Sequence, residues 1–556
     1  MNRPTLARML RATLPSLVTF PLLAGTPDFG PNVLILDPAD RDAQGNVDAV
    51  YHLQERNQFG ADRRCILLKP GDHHLHLKVG FNTQVAGLGV SPDEVQVHGD
   101  LEVNAQWFQG NATHNFWRSV ENFAITPDDG DVKWAVSQAT AFRHMRVHGN
   151  LSLWDGGWSS GGFLADSRID GVITSGSQQQ WFTRNTDMAG GWKGGNWNMV
   201  FEGVTNPPEG EWPARPYTVV AKTPVIREKP YLALISGECF VMVPGLESDV
   251  TGVNWSLPTR RIPLGDFHIT HVGESAASIN AALAAGRHLL ITPGIYRLQE
   301  SLQVTHANTV VMGLGYATLI PGQGTPALSV ADVDGVTVCG LLVESGPVNS
   351  PTLVEIGPAG SSSSHADNPT FLHDLFTRTG GFGPGRTSCF VTINSHDVVA
   401  DHLWLWRADH GPGRGWTSNP VANGLIVNGD RVACHGLFVE HTQEYQVLWN
   451  GEGGRTVFYQ SEFPYDPPSQ DEWMAPSGTC GYASYKVADH VKTHTAWGLG
   501  AYAFFHGDIT VDSAIEAPEV PGIQLHHLLT FQGRGKVLHV LNQRSGLPGN
   551  PSRLTE

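Results

Sequence analysis

The sequence predicts an all-β protein made of two tandem parallel β-helices, and three observations support this fold class. A segment pattern occurs twice, as ILLKPGDHHL at 66–75 and as LLITPGIYRL at 289–298. A Gly-Leu-Gly motif follows each copy, at 87–89 and at 313–315. Short β-rich runs, separated by glycine, asparagine and aspartate, follow each motif, and this pattern is typical of short strands joined by turns.

The two copies keep the same order and nearly the same spacing. Their Pro-Gly pairs lie 223 residues apart and their Gly-Leu-Gly motifs lie 226 residues apart. A short helix is predicted ahead of each copy, over Asp48–Asn57 and over Ala276–Ala285. Two motifs matched in the same order indicate two copies of one architecture.

The β-rich runs of the second half are short and often apolar throughout, as in Leu437–Val439. Strands in stacked sheets tolerate continuous apolar runs better than half-exposed antiparallel strands do. A β-sandwich or jelly roll is the alternative fold. The runs are predicted at 335–343, 388–393, 398–406, 424–427, 432–439 and 456–460.

Domain boundaries follow from the repeat and from the composition between its copies. We predict a first β-helix over 28–246, a linker over 247–266 and a second β-helix over 267–556. Residues 1–27 combine arginines with a short apolar run, which resembles a secretory signal and predicts a secreted or periplasmic protein.

Charge and composition exclude several classes of partner. The net charge is −17, and no block of lysine and arginine occurs, which argues against nucleic acid and anionic membranes. The same charge disfavours a polyanionic glycan and is compatible with a neutral one. No run reaches the ~18 apolar residues of a membrane span. We expect a monomer.

The cysteines and histidines do not form a metal motif. The six cysteines are widely spread without a Cys-x-x-Cys pair, and no histidines stand at a ligand spacing. We therefore expect no metal and no cofactor. The cysteines are expected in the core, with one or two disulfides as the alternative in an exported protein.

Two glutamates carry the chemical hypothesis. Glu440 and Glu462 lie 22 residues apart, and each closes a short apolar or aromatic run. If 22 residues form one coil, the two acids stack on neighbouring strands about 5 Å apart. Glycoside hydrolysis needs two such carboxyl groups, and ionising one raises the pKa of the other. The alternative is that both glutamates face water at strand ends.

The two-copy layout and the element QSEFPYD at 460–466 resemble glycoside hydrolase family 55, a group of exo-acting β-1,3-glucanases. The resemblance implies right-handed parallel β-helices in a rib-cage arrangement, with an active site between them. It also implies inversion of configuration and a general acid at Glu462, with Glu440 as the second family glutamate. The residues that match the family element are Gln460, Glu462, Pro464 and Tyr465.

Further substrate contacts are predicted from polar and aromatic residues. The segment 177–198 mixes both types, with a polar solenoid surface and core tryptophans as the alternative interpretation. Arg407 could orient a catalytic carboxylate or form a plain salt bridge. A dense group of tryptophans around the acids favours sugar stacking by at least one of them. The predicted contacts are Gln180, Asn198, Arg407, Trp449, Gln460 and Tyr465.

The paired acids predict a hydrolase of neutral glycans, and the resemblance implies exo action on β-1,3-glucans, with Glu462 as acid and Glu440 positioning or polarising the water. A polysaccharide lyase is one alternative, and it requires basic residues for a uronic-acid substrate. The region around Glu440 offers few of them besides Arg407 and Arg455. A non-catalytic glycan-binding solenoid is the other alternative.

Overall fold

The computed structural model describes residues 27–257 and 259–555. Within these residues, two parallel β-helices follow one another along the chain, which confirms the predicted all-β fold. Each has an inner sheet, which faces the other β-helix, and an outer sheet. The predicted export signal, apart from its last residue, lies outside the described residues. No helix among the described residues has the length and apolar character needed to cross a membrane.

The first β-helix begins at Val33 and its parallel coils end at Val220. Its inner sheet contains Val33–Leu36, Arg64–Leu68, Thr83–Gly87, Arg118–Glu121, Thr140–Arg143, Phe163–Ala165, Gln180–Arg184, Asn198–Glu202 and Tyr217–Val220. Its outer sheet contains Gly71–Lys78, Val95–Val103, Ala124–Pro127, Asp131–Trp134, Arg146–Val147, Asn150–Ser152, Arg168–Ile169, Ile173–Thr174, Asp187–Met188 and Trp192–Lys193.

The second β-helix begins at Phe267 and has longer strands. Its inner sheet contains Phe267–Thr270, His288–Ile291, Ile295–Leu298, Val310–Pro321, Thr337–Glu344, Phe371–Thr379, Val399–Arg407, Ala433–Glu440, Gly454–Glu462, His494–Phe504, Ile523–Arg534 and Ser552–Arg553. Its outer sheet contains Leu302–Val304, Leu328–Val330, Val354–Ile356, Thr387–Ile393, Val421–Val427, Val447–Trp449, Tyr485–Val487, Thr510–Glu516 and Lys536–Leu541.

The segment between the two β-helices is folded. Its strands Thr223–Ile226 and Glu247–Val250 form one antiparallel pair, and Tyr231–Ile235, Glu238–Pro244 and Thr259–Pro263 form an antiparallel sheet. The connection thus starts at Thr223, ahead of the predicted linker 247–266. Its apolar side chains join a cluster that includes Cys65 of the first β-helix and Leu290 of the second.

Two helices precede the duplicated motifs. They span Ala43–Gln54, somewhat earlier than predicted, and Ala276–Ala284. The first helix packs Val47 and Val50 into the core of the first β-helix. In the second, the Ser275 side chain accepts a hydrogen bond from the Ser278 backbone N–H, which satisfies a free donor at the helix start.

Burial explains why the inner strands are apolar throughout. Val399–Arg407 is buried at every position because one face packs on its own core and the other on the first β-helix. The outer strand Val95–Val103, in contrast, alternates between buried and partly exposed positions, as expected for a sheet with one solvated face. The cysteines, all of them within the described range, are unpaired, and five are buried.

Seven successive strands of the second inner sheet, from Thr337–Glu344 to Ile523–Arg534, each contain one residue with left-handed backbone at the same register position. This residue is left out of the strand pairing, as in a β-bulge, so neighbouring strands kink together and keep their register. At Gly436 a Cβ atom would lie 2.9 Å from the Phe182 ring, which excludes larger residues. The series is Gly340, Asp374, His402, Gly436, Phe458, Gly498 and His527.

A buried ionic network joins the two inner sheets. Asp401 accepts hydrogen bonds from Arg143 at 2.8 Å and from Arg184 at 3.0 Å, and Asp374 binds Arg143 and Lys229. Burial opposes ionisation of Asp401, but the two guanidinium groups lower its pKa well below its usual range. Because both arginines come from the first β-helix, these pairs fix its position against the second.

We expect Asp401→Asn to lower the free energy of unfolding by about 3 kcal/mol at neutral pH, because removing one partner leaves buried charges without compensation. Denaturant titration of wild type and variant measures this difference. The control is Asp489→Asn, which removes an ion pair whose aspartate is 91% exposed and should cost less than about 1 kcal/mol. Equal unfolding midpoints for both variants would contradict the assigned role of the network.

Candidate active site

Glu440 and Glu462 end neighbouring strands of the second inner sheet. They close Ala433–Glu440 and Gly454–Glu462, and the parallel register pairs them directly, as their spacing predicts. Parallel strands in a sheet lie about 4.8 Å apart, so the two backbones hold the acids on the same side and close together. The residues that flank the pair in the same ladder are Trp406 and Tyr502.

Glu440 is buried and bound by donors from both β-helices. Its Oε1 accepts a hydrogen bond from Gln138 Nε2 at 2.8 Å, and its Oε2 accepts one from Trp404 Nε1 at 2.9 Å. The Gln460 amide, also buried, lies beside it. Gln138 belongs to the first β-helix and Glu440 to the second. The Glu440 carboxyl group therefore lies at the boundary between the two β-helices.

Glu462 is the more accessible acid, with 13% of its side chain exposed. Its Oε2 accepts a hydrogen bond from the Tyr465 hydroxyl, in the turn that follows the strand. The His441 Nε2 atom lies 3.9 Å from the same oxygen. The paired acids thus have different surroundings: Glu440 accepts from an amide and an indole, whereas Glu462 accepts from a phenol and has an imidazole nearby.

The pKa of each acid is raised. Burial raises the pKa of Glu440 well above its usual range, and the nearby Glu462 carboxylate adds to the rise. Burial also raises the pKa of Glu462, against the opposing influence of His441 and Tyr465. Since ionising one acid disfavours ionisation of the other, the pair retains a proton to a higher pH than ordinary glutamates do.

Polar side chains of the first β-helix complete the surroundings of Glu440. Ser160 donates a hydrogen bond to Gln138 Oε1 at 3.1 Å, so the Gln138 amide is held with its nitrogen toward Glu440. Gln180, one of the predicted contacts, is buried and donates to the Ser160 carbonyl. These three residues form a polar cluster that faces the second β-helix at the level of the acid pair.

Aromatic side chains lie on the other side of Glu462. Tyr502 is its register partner on the next coil, and Trp197 of the first β-helix contacts Tyr502 with ring centroids 5.1 Å apart. Trp197 also stacks on Phe531 at 4.0 Å. Tyr465, Trp197 and Phe531 are half-buried, so part of this aromatic surface remains accessible.

Arg407 has a structural environment. It is buried and forms a two-pronged salt bridge with Asp466 at 2.8 and 2.9 Å, and it donates to the Asn419 and His441 carbonyls. Of the two predicted roles of Arg407, the structure shows the salt bridge and, among the described residues, no contact with a catalytic carboxylate. By holding Asp466 it anchors the turn that carries Tyr465.

Trp449 and Asn198, both predicted to contact substrate, are buried in packing positions. Trp449 lies on the outer sheet with no exposed surface, inside the core of the second β-helix beside Tyr485 and His494. A sugar cannot reach it there, because its strand points the indole into the core. Asn198 has no exposed surface and donates to the Gly498 carbonyl at 2.9 Å, across the interface of the two β-helices.

Several residues of the site were missed in the sequence. Gln138 and Ser160 belong to segments of the first β-helix without any distinctive motif, so only the folded structure brings them to Glu440. Trp404 could have been suspected from the sequence, because it belongs to the group of tryptophans near the two acids. His441 directly follows Glu440, but sequence alone does not show that its ring lies beside Glu462.

One group among the described residues has the spacing of a metal site. His76, Asp100 and Asp128 offer ligand atoms that lie within 4.8 Å of one another. They lie at the outer sheet of the first β-helix, on the side away from the second β-helix. Exposed acidic groups of this kind are common without an ion, and none of the three contacts the acid pair.

Comparison with known proteins gives consistent matches. Residues 267–462 match the LAM55 pectate lyase-like domain. A protein named exo-beta-1,3-glucanase from Streptomyces sp. (strain SirexAA-E / ActE) is 48% identical over 530 residues, which cover 94% of this chain and 87% of that protein.

Two solved structures of sacteLam55A from Streptomyces sp. SirexAA-E are similar over nearly the whole chain. One has a TM-score of 0.93 at 47% identity and covers 95% of this chain and 98% of its own. The other is a variant in complex with glucose, with a TM-score of 0.94 at 47% identity, covering 96% and 98%. The chain therefore belongs to the LAM55 family. This is the glycoside hydrolase family 55 that its element at 460–466 resembles.

Proposed function

We propose that this protein is a glycoside hydrolase that releases sugar from the ends of β-1,3-glucans with inversion of configuration. The observation that carries the proposal is the register pairing of Glu440, which is buried, with Glu462, which is 13% exposed, at the boundary of two β-helices. The 48% identical relative is named exo-beta-1,3-glucanase, which supports the linkage and the exo action.

Glu462 acts as the general acid. Burial raises the pKa of both acids, and that of Glu440 well above its usual range, but both oxygens of Glu440 accept N–H donors, which stabilises its carboxylate, so we place the proton shared by the pair on Glu462. Its greater exposure lets Glu462 reach the glycosidic oxygen, and its raised pKa keeps the carboxyl protonated until it donates. This assignment agrees with the family element that contains Glu462.

Glu440 and the polar cluster of the first β-helix position the attacking water. In an inverting glycosidase, water attacks the sugar from the face opposite to the acid, a carboxylate accepts its proton, and the two carboxyl groups stand about 6.5–9.5 Å apart. Inversion therefore requires the side chains of Glu440 and Glu462, which different partners hold, to diverge beyond the ~4.8 Å spacing of their strands. Gln138, Ser160 and Gln180 surround the Glu440 side of the site, with hydroxyl and amide groups suited to a water molecule. No metal or cofactor is required for these steps.

Sugar binding is supported by the aromatic surface beside Glu462. Tyr465 binds Glu462 directly, and Trp197 and Phe531 lie one ring further out, with Trp197 against Tyr502. Aromatic rings pack well against the apolar faces of sugar rings. The net charge of −17 disfavours an acidic polysaccharide and suits a neutral glucan.

The two basic residues that the lyase alternative could use are engaged elsewhere in the structure. Arg407 is engaged by Asp466, and the Arg455 guanidinium lies 4.2 Å from the Trp497 ring. Neither arginine contacts Glu440 or Glu462, so neither stands where it could neutralise a uronic acid bound between them. The hydrolase is the proposal that the geometry supports best.

Glu462→Gln tests the acid role. We expect kcat on a β-1,3-glucan to fall by roughly 10³-fold, because a positioned general acid contributes about 10²–10⁴. On an aryl glucoside whose phenol is a strong acid, the loss should be much smaller, since this leaving group needs no proton. Glu440→Gln should lower the rate on both substrates alike. Reducing-sugar and phenol release measure the two rates.

The control for both variants is Glu444→Gln, a substitution at an exposed glutamate on the turn after Glu440. It should keep wild-type rates on both substrates. Wild-type activity of Glu462→Gln on the glucan would refute the acid assignment, and retained glycan binding without hydrolysis in the wild type would favour the non-catalytic alternative.

Trp404→Phe tests the support of Glu440. Loss of the indole N–H removes one hydrogen bond to a charged group, worth about 1.5–3 kcal/mol, so kcat/KM should fall by about 10- to 100-fold. Trp449→Phe makes the same change in the core and away from the acids, and it should lower stability without lowering kcat/KM. An equal activity loss in both variants would contradict the positions assigned to the two tryptophans.

A further inference from the structure

His441 lies between two carboxyl groups beside the acid pair. Its Nε2 atom is 3.9 Å from Asp409 Oδ1 and 3.9 Å from Glu462 Oε2, and only 3% of its side chain is exposed. The hydrolytic steps proposed above give no role to His441 or to Asp409. A buried imidazole at equal distances from two carboxyl groups affects the ionisation of both, so we ask what role His441 has.

The other ring nitrogen of His441 has a fixed protonation state. Its Nδ1 donates a hydrogen bond to the Phe463 carbonyl at 3.0 Å, and a carbonyl oxygen can only accept. Nε2 is therefore the ring atom that faces the two carboxyl groups. Through it His441 lowers the pKa of Asp409 and opposes the rise in the pKa of Glu462.

The position of His441 is held by its backbone and by Tyr465. Its φ is 66°, a left-handed conformation that is uncommon outside glycine. Its backbone N–H donates to the Glu462 carbonyl at 2.8 Å, and its ring meets the Tyr465 ring edge-on at 4.4 Å. The imidazole thus stays beside Glu462.

Asp409 is kept ionised by its own neighbours. His410 Nδ1 donates to Asp409 Oδ1 at 2.8 Å, and the Gln58 amide donates to His410 Nε2 at 2.7 Å. Burial opposes ionisation of Asp409, but the His410 hydrogen bond and the nearby His441 lower its pKa. His114, stacked on His410 at 4.2 Å, has its pKa lowered to about 4 by burial, so it is neutral near pH 7.

We propose that His441, held as a cation by Asp409, is a positioning residue that favours the ionised form of Glu462 and thereby sets the upper pH limit of activity. This inference rests on the proposed function, since it requires Glu462 to be the general acid. Asp409 acts in two ways: it stabilises the His441 cation, and its own negative charge opposes ionisation of Glu462.

The ionisable groups that face Glu462 and His441 come from every element packed against them. Glu440 on the preceding coil and Asp409 disfavour a second negative charge, and His441 favours it. These groups are Glu440, Tyr502 on the following coil, Tyr465 and Asp466 in the turn after Glu462, Asp409 and His410 in the turn after Arg407, and Arg407 itself, which is bound to Asp466.

The direction of the effect follows from the role of Glu462. A general acid works while protonated, so kcat/KM falls as the pH rises through its pKa in the free enzyme. Replacing His441 by neutral glutamine removes a cation that favours ionisation, so Glu462 keeps its proton to higher pH. Replacing Asp409 by asparagine has two opposed effects: it weakens the His441 cation, which raises the pKa of Glu462, and it removes a negative neighbour, which lowers that pKa. In the His441→Gln background only the second effect remains.

The experiment is the pH dependence of kcat/KM on a β-1,3-glucan for wild type, His441→Gln, Asp409→Asn and the double variant. We expect the alkaline limb of His441→Gln to move up by about one pH unit, the size expected for an opposite charge at this distance. Asp409→Asn should move the limb down further in the His441→Gln background than in wild type, because only there is its effect on the His441 cation absent. Simple loss of structure lowers activity without producing this dependence on His441.

His506→Gln is the matched control, because His506 lies near the Tyr465 ring at 5.8 Å but is exposed, and it should leave the alkaline limb in place. An unmoved or lowered limb in His441→Gln overturns the inference, and so does an equal shift by Asp409→Asn with and without His441. If His441→Gln does not fold, His441→Asn takes its place in both comparisons. Activity retained by Glu462→Gln would instead refute the proposed function, so the two failures are distinguishable.

Discussion

The parallel register between the strands that end in Glu440 and Glu462 holds two carboxyl groups in one buried site. Two neighbouring charges in a medium of low polarity repel each other, so the site must keep a proton or supply compensating donors. The surrounding residues do both. Gln138 and Trp404 donate to Glu440, whereas Glu462 has a phenol and an imidazole beside it.

The site depends on both β-helices being held in one relative position. Glu440 belongs to the second β-helix, but its donor Gln138 belongs to the first. The buried pairs of Asp401 with Arg143 and Arg184 lie in the same interface. Removing one partner of such a network destabilises the interface between the two β-helices. The same interface brings Gln138 to 2.8 Å from Glu440, so its loss would disturb the site.

The fold was largely predictable because local sequence patterns determine its strands and its repeat. The duplicated Pro-Gly and Gly-Leu-Gly motifs indicated two similar units, and the continuous apolar run at 437–439 indicated a strand covered on both faces. What the sequence could not show is what covers the second face. That cover is the other β-helix, whose side chains come from positions about 300 residues away.

The candidate site was predictable only in part, for the same reason. The spacing of Glu440 and Glu462 equals one coil, so local sequence was enough to pair them. Trp449 lies close to them in sequence, but its strand belongs to the outer sheet and directs it into the core. Gln138 and Ser160 are far away in sequence, and without a motif only the tertiary structure identifies them.

The central claim is that Glu462 donates a proton on one face of the sugar while water held near Glu440 attacks the other. The most direct test is the proton NMR spectrum of the first sugar released from a β-1,3-glucan, recorded before the anomers equilibrate. The account predicts the α anomer, because a single displacement inverts the β linkage. Initial release of the β anomer would contradict it, since retention requires one acid to attack the sugar directly.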